Sequence, residues 1–452
     1  MEHDLGVVRS AVNGMVWPGL PAGAGVTLLA VLHQLEQTQW WAPAELERQQ
    51  LLQLDHSLRH TFEKVPFYKE RFVAAGYDPG RGLTQDVFLA LPIMARSDIQ
   101  DQGDALLIRN VPAEHGRIGA GETSGSTGMP VRHYGTELTQ FFWNAFTLRD
   151  HLWHRRDASG KLAAIRKNMK DAIQPSWGSP TDLVFQTGPC AMLDIAADLD
   201  QQLDWLQRHA PDYLLTNAYN LYWLARRSLE RDIRLPGLRQ VRSFGGTFPE
   251  DAREVIRRAW GVPLADIYTA EEVGYIALQC PEHEHYHVQS ESLIVEVLGE
   301  SGKPCLPGEI GKVVLTTLHN FAMPLLRYEI GDYAEAGAPC PCGRGLPVMR
   351  RILGRSRNIL TLPDGRRRWP SFPSEKWSRA APVRQLQMVQ RSRERIDVNV
   401  VAGRVLTAHE KDGLVAALQG CLGHPFAMEV RELAEIPRSV SHKFEDFVSE
   451  IV

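Results

Sequence analysis

Residues 123–128 read Thr-Ser-Gly-Ser-Thr-Gly: four hydroxyl side chains and two glycines in six positions, with Pro130 two residues further on. Proline cannot supply the N–H that a helix running through its position would use, so the stretch predicts a loop between regular elements. Glycine lets the backbone aim its N–H groups at a bound anion. Ser and Thr add hydroxyl donors that reach phosphate oxygens. Taken alone, the same composition would serve as a plain Ser/Gly linker. No Gly-Lys-Ser/Thr closes the loop, which separates it from the common P-loop.

At 452 residues the chain exceeds one ordinary core, and two or three domains are expected. A net charge of −4 gives no reason to expect nucleic acid or a membrane surface as a partner. The apolar runs are too short to span a bilayer, and the Met-Glu-His-Asp start has no basic signal-peptide region. Six cysteines in a chain this long make no disulfide framework, so free or metal-bound thiols in a reducing cytoplasm are expected.

Val26 to Leu32 predicts a buried helix segment, and the Trp40-Trp41 pair reads either as a core plug or as a subunit contact in a homodimer. Leu51, Leu54, Leu58 and Phe62 recur at helical spacing on a helix that ends before Val65-Pro66. Residues 134–240 alternate helical patterns with short apolar runs, as in a mixed α/β domain. Tyr213-Leu214-Leu215 predicts a strand and Asn217 a helix cap. Val241 to Phe244 predicts a strand entering the Gly245-Gly246-Thr247 turn, followed by a helix from Pro249 to Trp260 and a strand from Pro263 to Tyr268. Val295-Glu296-Val297 and Lys312 to Leu318 read as an antiparallel hairpin.

Cys280 precedes a run containing His283, His285 and His287, and Cys340-Pro-Cys342 lies far downstream. A Cys-x-Cys turn with a distant Cys/His pair suits a tetrahedral structural zinc. The favoured ligands are Cys280, His287, Cys340 and Cys342, with His283 and His285 as substitutes. Two unrelated turns carrying surface thiols would give the same residues.

Several stretches resemble the adenylate-forming superfamily of acyl-CoA synthetases, and more closely its phenylacetate–CoA ligase branch. They are Val65-Pro66-Phe67-Tyr68, residues 123–130, Gly245-Gly246-Thr247, Tyr268 to Glu272, Arg327-Tyr328-Glu329-Ile330-Gly331-Asp332, Gly354-Arg355 and Pro437-Arg438-Ser439 before Lys443, in the family's order. The resemblance implies a large N-terminal α/β domain with β-sheets and flanking helices over 1–355, and a small mobile C-terminal α/β lid over 356–452. It implies ATP and Mg²⁺ as cofactors, with Thr123, Ser124, Gly125, Ser126, Thr127 and Gly128 on the phosphates. Gly245, Gly246, Thr247, Asp266 and Tyr268 would surround the nucleotide, with the Tyr268 ring on adenine. Asp332 would accept both ribose hydroxyls and Arg355 would reach ribose or phosphate. Glu272 would hold Mg²⁺, and Lys443 and Thr127 complete the catalytic set. Trp143, Tyr219, Phe244, Gly245 and Ala270 would wall the acyl pocket.

The activity so implied is ATP-dependent activation of a carboxylic acid, aromatic by the branch, to acyl-AMP, followed by transfer to coenzyme A. Thr269, Glu271 and His442 depart from the family's Gly, hydroxyl residue and Gly. The usual Gly-rich loop after the hinge is replaced by Leu362 to Pro370, which reads as a tight hairpin. Its Arg366-Arg367-Arg368 run is either a solvated face or a contact for an acidic partner such as the nucleotide part of coenzyme A. Two other outcomes stay open: an adenylate passed to an amine or carrier-protein thiol, and a drifted non-catalytic nucleotide-binding protein.

Overall fold

Apolar strands that alternate with amphipathic helices can bury both faces only by lying in one sheet with the helices packed against it. The computed structural model, which describes residues 6–123, 130–436 and 445–451, shows that solution. Its central sheet runs Leu162–Arg166, Tyr213–Asn217, Gln240–Phe244 and Leu264–Ala270 side by side and parallel. The connecting helices are Ala218–Arg231 and Ala252–Trp260. In the second, Val255, Ile256 and Ala259 form the stripe that meets the sheet. The Asn217 side chain caps the first by accepting the Asn220 N–H at 2.7 Å. Leu214, Leu221, Val241 and Ile256 are fully shielded at this junction.

Beyond Leu264–Ala270 the same sheet turns antiparallel through Gly274–Gln279, Tyr286–Val288, Val348–Arg355, Tyr328–Ala336, Ile310–Thr317 and Leu293–Leu298. The helix Pro43–Phe62, with its proline in the first turn, packs Leu54 and Leu58 into this half of the core. The expected hairpin of residues 295–318 is present as the pairing of Leu293–Leu298 with Ile310–Thr317. Trp40 and Trp41 lie just past the helix Gly23–Thr38, both partly open to solvent, with the Arg344 guanidinium over the Trp40 ring at 4.8 Å.

A C-terminal subdomain carries its own four-stranded sheet, ordered Ala427–Glu432, Arg395–Ala402, Val383–Gln390 and Phe447–Ser449. The helix Ala408–Leu422 buries Leu414, Leu418 and Leu422 against it. Leu360-Thr361 pairs with Arg367-Arg368, so the stretch expected as a hairpin is one. Its neighbour segment is pinned to the large domain. Asp251 accepts the Ser374 N–H at 3.0 Å and its hydroxyl at 2.6 Å. The Arg226 guanidinium lies between the Trp223 and Trp377 rings at 4.9 and 5.0 Å.

Candidate active site

Where the parallel strands end, the chain must turn, and those turns build a crevice at the carboxyl edge of the sheet. Phe244 leads into Gly245 and Gly246, at φ 61° and 139°. Side-chain-bearing residues rarely adopt such values, which is why two glycines stand there. Tyr219, on the neighbouring helix, faces the same crevice as Gly246, Thr247 and Asp266, within a cavity of about 970 Å³ that extends to the C-terminal subdomain. Thr247 abuts Gly354, so this turn meets the end of Val348–Arg355.

Tyr268, Asp332 and Arg355 come together although they are far apart in sequence. Asp332 and Arg355 face each other in the antiparallel ladder. The Asp332 carboxylate meets the Arg355 Nε at 3.2 Å and accepts the Tyr268 hydroxyl at 2.8 Å. Its oxygens retain lone pairs beyond these contacts. Asp266 is buried and accepts from the Ser243 hydroxyl and, at 2.7 Å, from the Tyr286 hydroxyl. Burial pushes its carboxyl up, with these two donors opposing. It therefore ties Gln240–Phe244 and Leu264–Ala270 to Tyr286–Val288, across the intervening strand Gly274–Gln279.

Glu272 and Glu271 diverge. Glu272 is buried and Glu271 exposed. Burial raises the Glu272 carboxyl, with the Arg96 charge among the influences that lower it. Arg96, at the start of the helix Arg96–Gln102, donates from Nη2 to the Thr123 hydroxyl at 3.0 Å. Thr123 is fixed in turn: its N–H reaches the Val131 carbonyl and its Oγ1 accepts the Val131 N–H, each at 2.9 Å. Arg96 thus links the loop's first residue to the buried carboxylate, a role the motif reading did not assign. The only available signal was a basic residue four positions after Pro92. Ser124, Gly125, Ser126, Thr127, Gly128 and Lys443 lie outside the described residues.

A second cavity, of about 500 Å³, opens beside Glu272. Trp143, Phe142 and Phe146 from the helix Glu137–Trp153 wall it, with Tyr275, His133 and Glu271. Trp143 meets Tyr275 edge-on at 5.1 Å. Ala270 pairs with Gly274 at the mouth of the adjoining hairpin. Phe244 sits under the Arg166 guanidinium at 5.3 Å, and Tyr219 belongs to the larger crevice. Of the residues expected to wall the acyl pocket, Trp143 is the one that lines this cavity.

The ligand atoms of Cys280, His285, His287 and Cys340 all lie within 4.8 Å of one another. The Cys280 and Cys340 sulfurs are 3.9 Å apart, and the Cys342 sulfur is 3.4 Å from His287 Nε2. The tightest grouping takes His285, one of the two substitutes, alongside three of the favoured ligands. His285 Nε2 and His287 Nδ1 are buried without a hydrogen-bond partner. Ligand atoms around a tetrahedral zinc stand roughly 3.3–3.8 Å apart, so thiol sulfurs and imidazole nitrogens at these separations fit that ion.

No family model matches the chain. It is 26% identical over 327 residues to the phenylacetate–coenzyme A ligase of Thermus thermophilus, covering 68% of this chain and 70% of that one. Against the phenylacetate–coenzyme A ligase of Escherichia coli K12 it is 26% identical over 367 residues, covering 77% and 80%. A solved structure of 2-hydroxyisobutyryl-CoA ligase in the postadenylation state overlays with a TM-score of 0.71 at 17% identity, covering 92% of each chain. The same enzyme in its thioesterification state overlays at 0.58. The fold is that of adenylate-forming enzymes. By sequence the chain is phenylacetate–CoA ligase-like.

Proposed function

We propose that the chain is an AMP-forming ligase that activates a carboxylic acid to its acyl-adenylate and then forms the coenzyme A thioester. The observation that carries this reading is the lining of the smaller cavity, which combines the buried Glu272 with an aromatic wall of Trp143, Phe142 and Tyr275. An acid seated against that wall directs its carboxylate toward Glu272, where ATP would present its α-phosphorus. Asp332 and Arg355 orient the ribose side, and the Gly245-Gly246 turn admits the base without a side chain in the way. The acid's oxygen attacks the α-phosphorus and pyrophosphate leaves.

Glu272 is a hard oxygen donor in a buried setting, which suits Mg²⁺. That ion would supply charge neutralisation at the phosphates. Arg96 holds Thr123 at the head of the phosphate loop, and Lys443 completes the positive charge around the reacting centre. We place the division between the large domain and the lid at 355/356; the end of the ladder with Asp332 and the turn Ser356–Asn358 support that reading. The higher TM-score against the postadenylation form supports a lid arranged for the first half-reaction here. Rotation of that lid would bring coenzyme A to the adenylate.

The hairpin in place of a Gly-rich loop favours a second acceptor, an amine or a carrier-protein thiol. ATP–pyrophosphate exchange over a panel of aromatic and aliphatic acids, without coenzyme A, tests the first step. Exchange with one acid class is the expected result, and adding coenzyme A then shows whether a thioester forms. No exchange with any acid would refute the reading.

The Cys280, His285, His287 and Cys340 cluster would hold a structural zinc that joins the loop after Gly274–Gln279 to the turn at 340–343. All six cysteines are unpaired, which supports a reducing, cytoplasmic setting. Among the described residues no helix is long and apolar enough to cross a membrane. Freshly purified protein is expected to carry about one zinc per chain, and chelation to lower its melting temperature. Metal-free protein that gains nothing from added zinc would refute this.

A further inference from the structure

The smaller cavity contains one side chain whose chemistry the reaction above does not use. His133 lies on the strand Arg132–Thr136, opposite Gly121 in the adjoining strand. Its ring packs directly over that glycine; a Cβ at 121 would stand 2.6 Å from both Cε1 and Nε2. The absence of a side chain at 121 is therefore what lets an imidazole occupy this edge of the cavity.

Three polar groups of the wall are already engaged. The Tyr275 hydroxyl pairs with Thr147 at 2.8 Å and receives Arg242 at 3.3 Å. His319 Nε2 bonds the Glu291 carbonyl at 2.9 Å, and its ring stacks on Phe142 at 4.3 Å. Asn320 donates to the Tyr134 carbonyl at 2.8 Å and accepts from the Ala322 and Met323 N–H groups. The His133 side chain, by contrast, makes no hydrogen bond among the described residues, and its Nε2, like the Thr136 Oγ1 on the same strand, is buried without a partner. A buried ring nitrogen left unmatched at the wall of a cavity lined by aromatic rings points to a ligand that completes it.

We infer that the cavity selects an aromatic acid carrying a neutral polar ring substituent, a hydroxyl or an amino group, and that His133 is the residue that reads it. This rests on the cavity being the acyl pocket. Burial lowers the His133 pKa, with the Glu271 charge opposing, so the ring is neutral near pH 7. A neutral imidazole offers one donor and one acceptor. A phenol or an aniline can meet either, whereas an unsubstituted phenyl ring leaves the imidazole unmatched. Nε2 rests against Gly121, so meeting the substituent requires the ring to turn off that glycine. The aromatic walls supply affinity that both kinds of ring share, so discrimination falls on this one hydrogen bond.

The test compares ATP–pyrophosphate exchange for matched pairs of aryl acids with and without a ring hydroxyl or amino group. The wild-type kcat/KM should favour the substituted member of the best pair by about 10- to 100-fold. In His133→Phe that ratio should fall toward one, and His133→Asn, which keeps a donor and an acceptor, should restore part of it. The ratio is insensitive to the fraction of folded enzyme, so a poorly folding variant still reports. Equal use of both members by the wild type, or an unchanged ratio in His133→Phe, overturns the inference while leaving adenylation intact. No exchange with any acid overturns the adenylation reading and this inference together.

Discussion

Lys443→Ala should lower the rate of adenylation by about 10²–10³-fold and leave thioester formation from supplied acyl-AMP largely intact. The reason is where charge develops. In the first half-reaction a carboxylate approaches an α-phosphate, and negative charge gathers on oxygens that only preorganised donors can stabilise. In the second, the adenylate already exists and the thiolate attacks carbon, so a cation at the phosphate has less to do. Lys443 lies outside the described residues, and the described chain resumes at Glu445. The Glu445 carboxylate takes Arg357 at 2.8 Å, and Asn358 donates to the Phe447 carbonyl at 2.8 Å. Those partners belong to the turn that directly follows Arg355, the residue paired with Asp332. Pyrophosphate exchange measures the first step, and thioester yield from synthetic acyl-AMP measures the second. Equal loss of both would show that Lys443 is not specific to adenylation.

Local order was largely readable from the sequence, because periodicity and turn residues are local. The helix through Leu51 to Phe62, the strand–Gly-Gly–helix–strand unit at 240–270 and the hairpin at 360–368 all follow from spacing and from glycine or proline at the joints. The helix expected from Pro249 begins at Ala252, since the Gly-Gly turn continues through Pro249 before the backbone closes its first helical bond. Long-range order was less readable. Nothing in the spacing says that Leu162–Arg166 and Leu293–Leu298 share one sheet, because strand partners are chosen by tertiary packing. The hydrogen bond from Tyr268 to Asp332 likewise joins residues whose motifs were read separately.

The candidate site shows the same split. Motif residues could be named by resemblance, but Arg96 and His133 carry no motif. They matter only through what they face: Thr123 and the buried Glu272 for one, an unmatched edge of an aromatic cavity for the other. Trp143, Tyr219 and Phe244 looked alike as aromatic candidates, yet only Trp143 lines the cavity beside Glu272. Which face of an element a side chain occupies depends on the packing of its neighbours, and composition cannot supply that.

The largest stability effect should come from a group that no motif marks. Asp150 is fully buried on the helix that carries Trp143. Its carboxylate meets Arg156 at 2.6 Å and Arg242 at 2.7 Å, with His154 at 3.7 Å. Burial alone would push the Asp150 carboxyl up, but the two guanidinium charges outweigh it and hold the group well below the usual carboxylate range. Arg242 in turn donates to the Tyr275 hydroxyl at 3.3 Å and lies on the strand leading to Gly245. The cluster therefore fastens the aromatic wall of one cavity to the turn of the other. Asp150→Asn keeps the shape and removes the charge, leaving two buried guanidinium groups against a neutral amide. Loss of one partner from such a set costs about 3–5 kcal/mol, a large share of the roughly 5–15 kcal/mol that holds a folded domain together. Urea unfolding followed by tryptophan fluorescence should show a marked fall in midpoint, and exchange activity should be lost at lower urea than in the wild type. A midpoint within about 0.3 M of wild type, equivalent to under about 1 kcal/mol at ordinary urea slopes, would mean that water or relaxation compensates the arginines and that the cluster is not what joins the two walls.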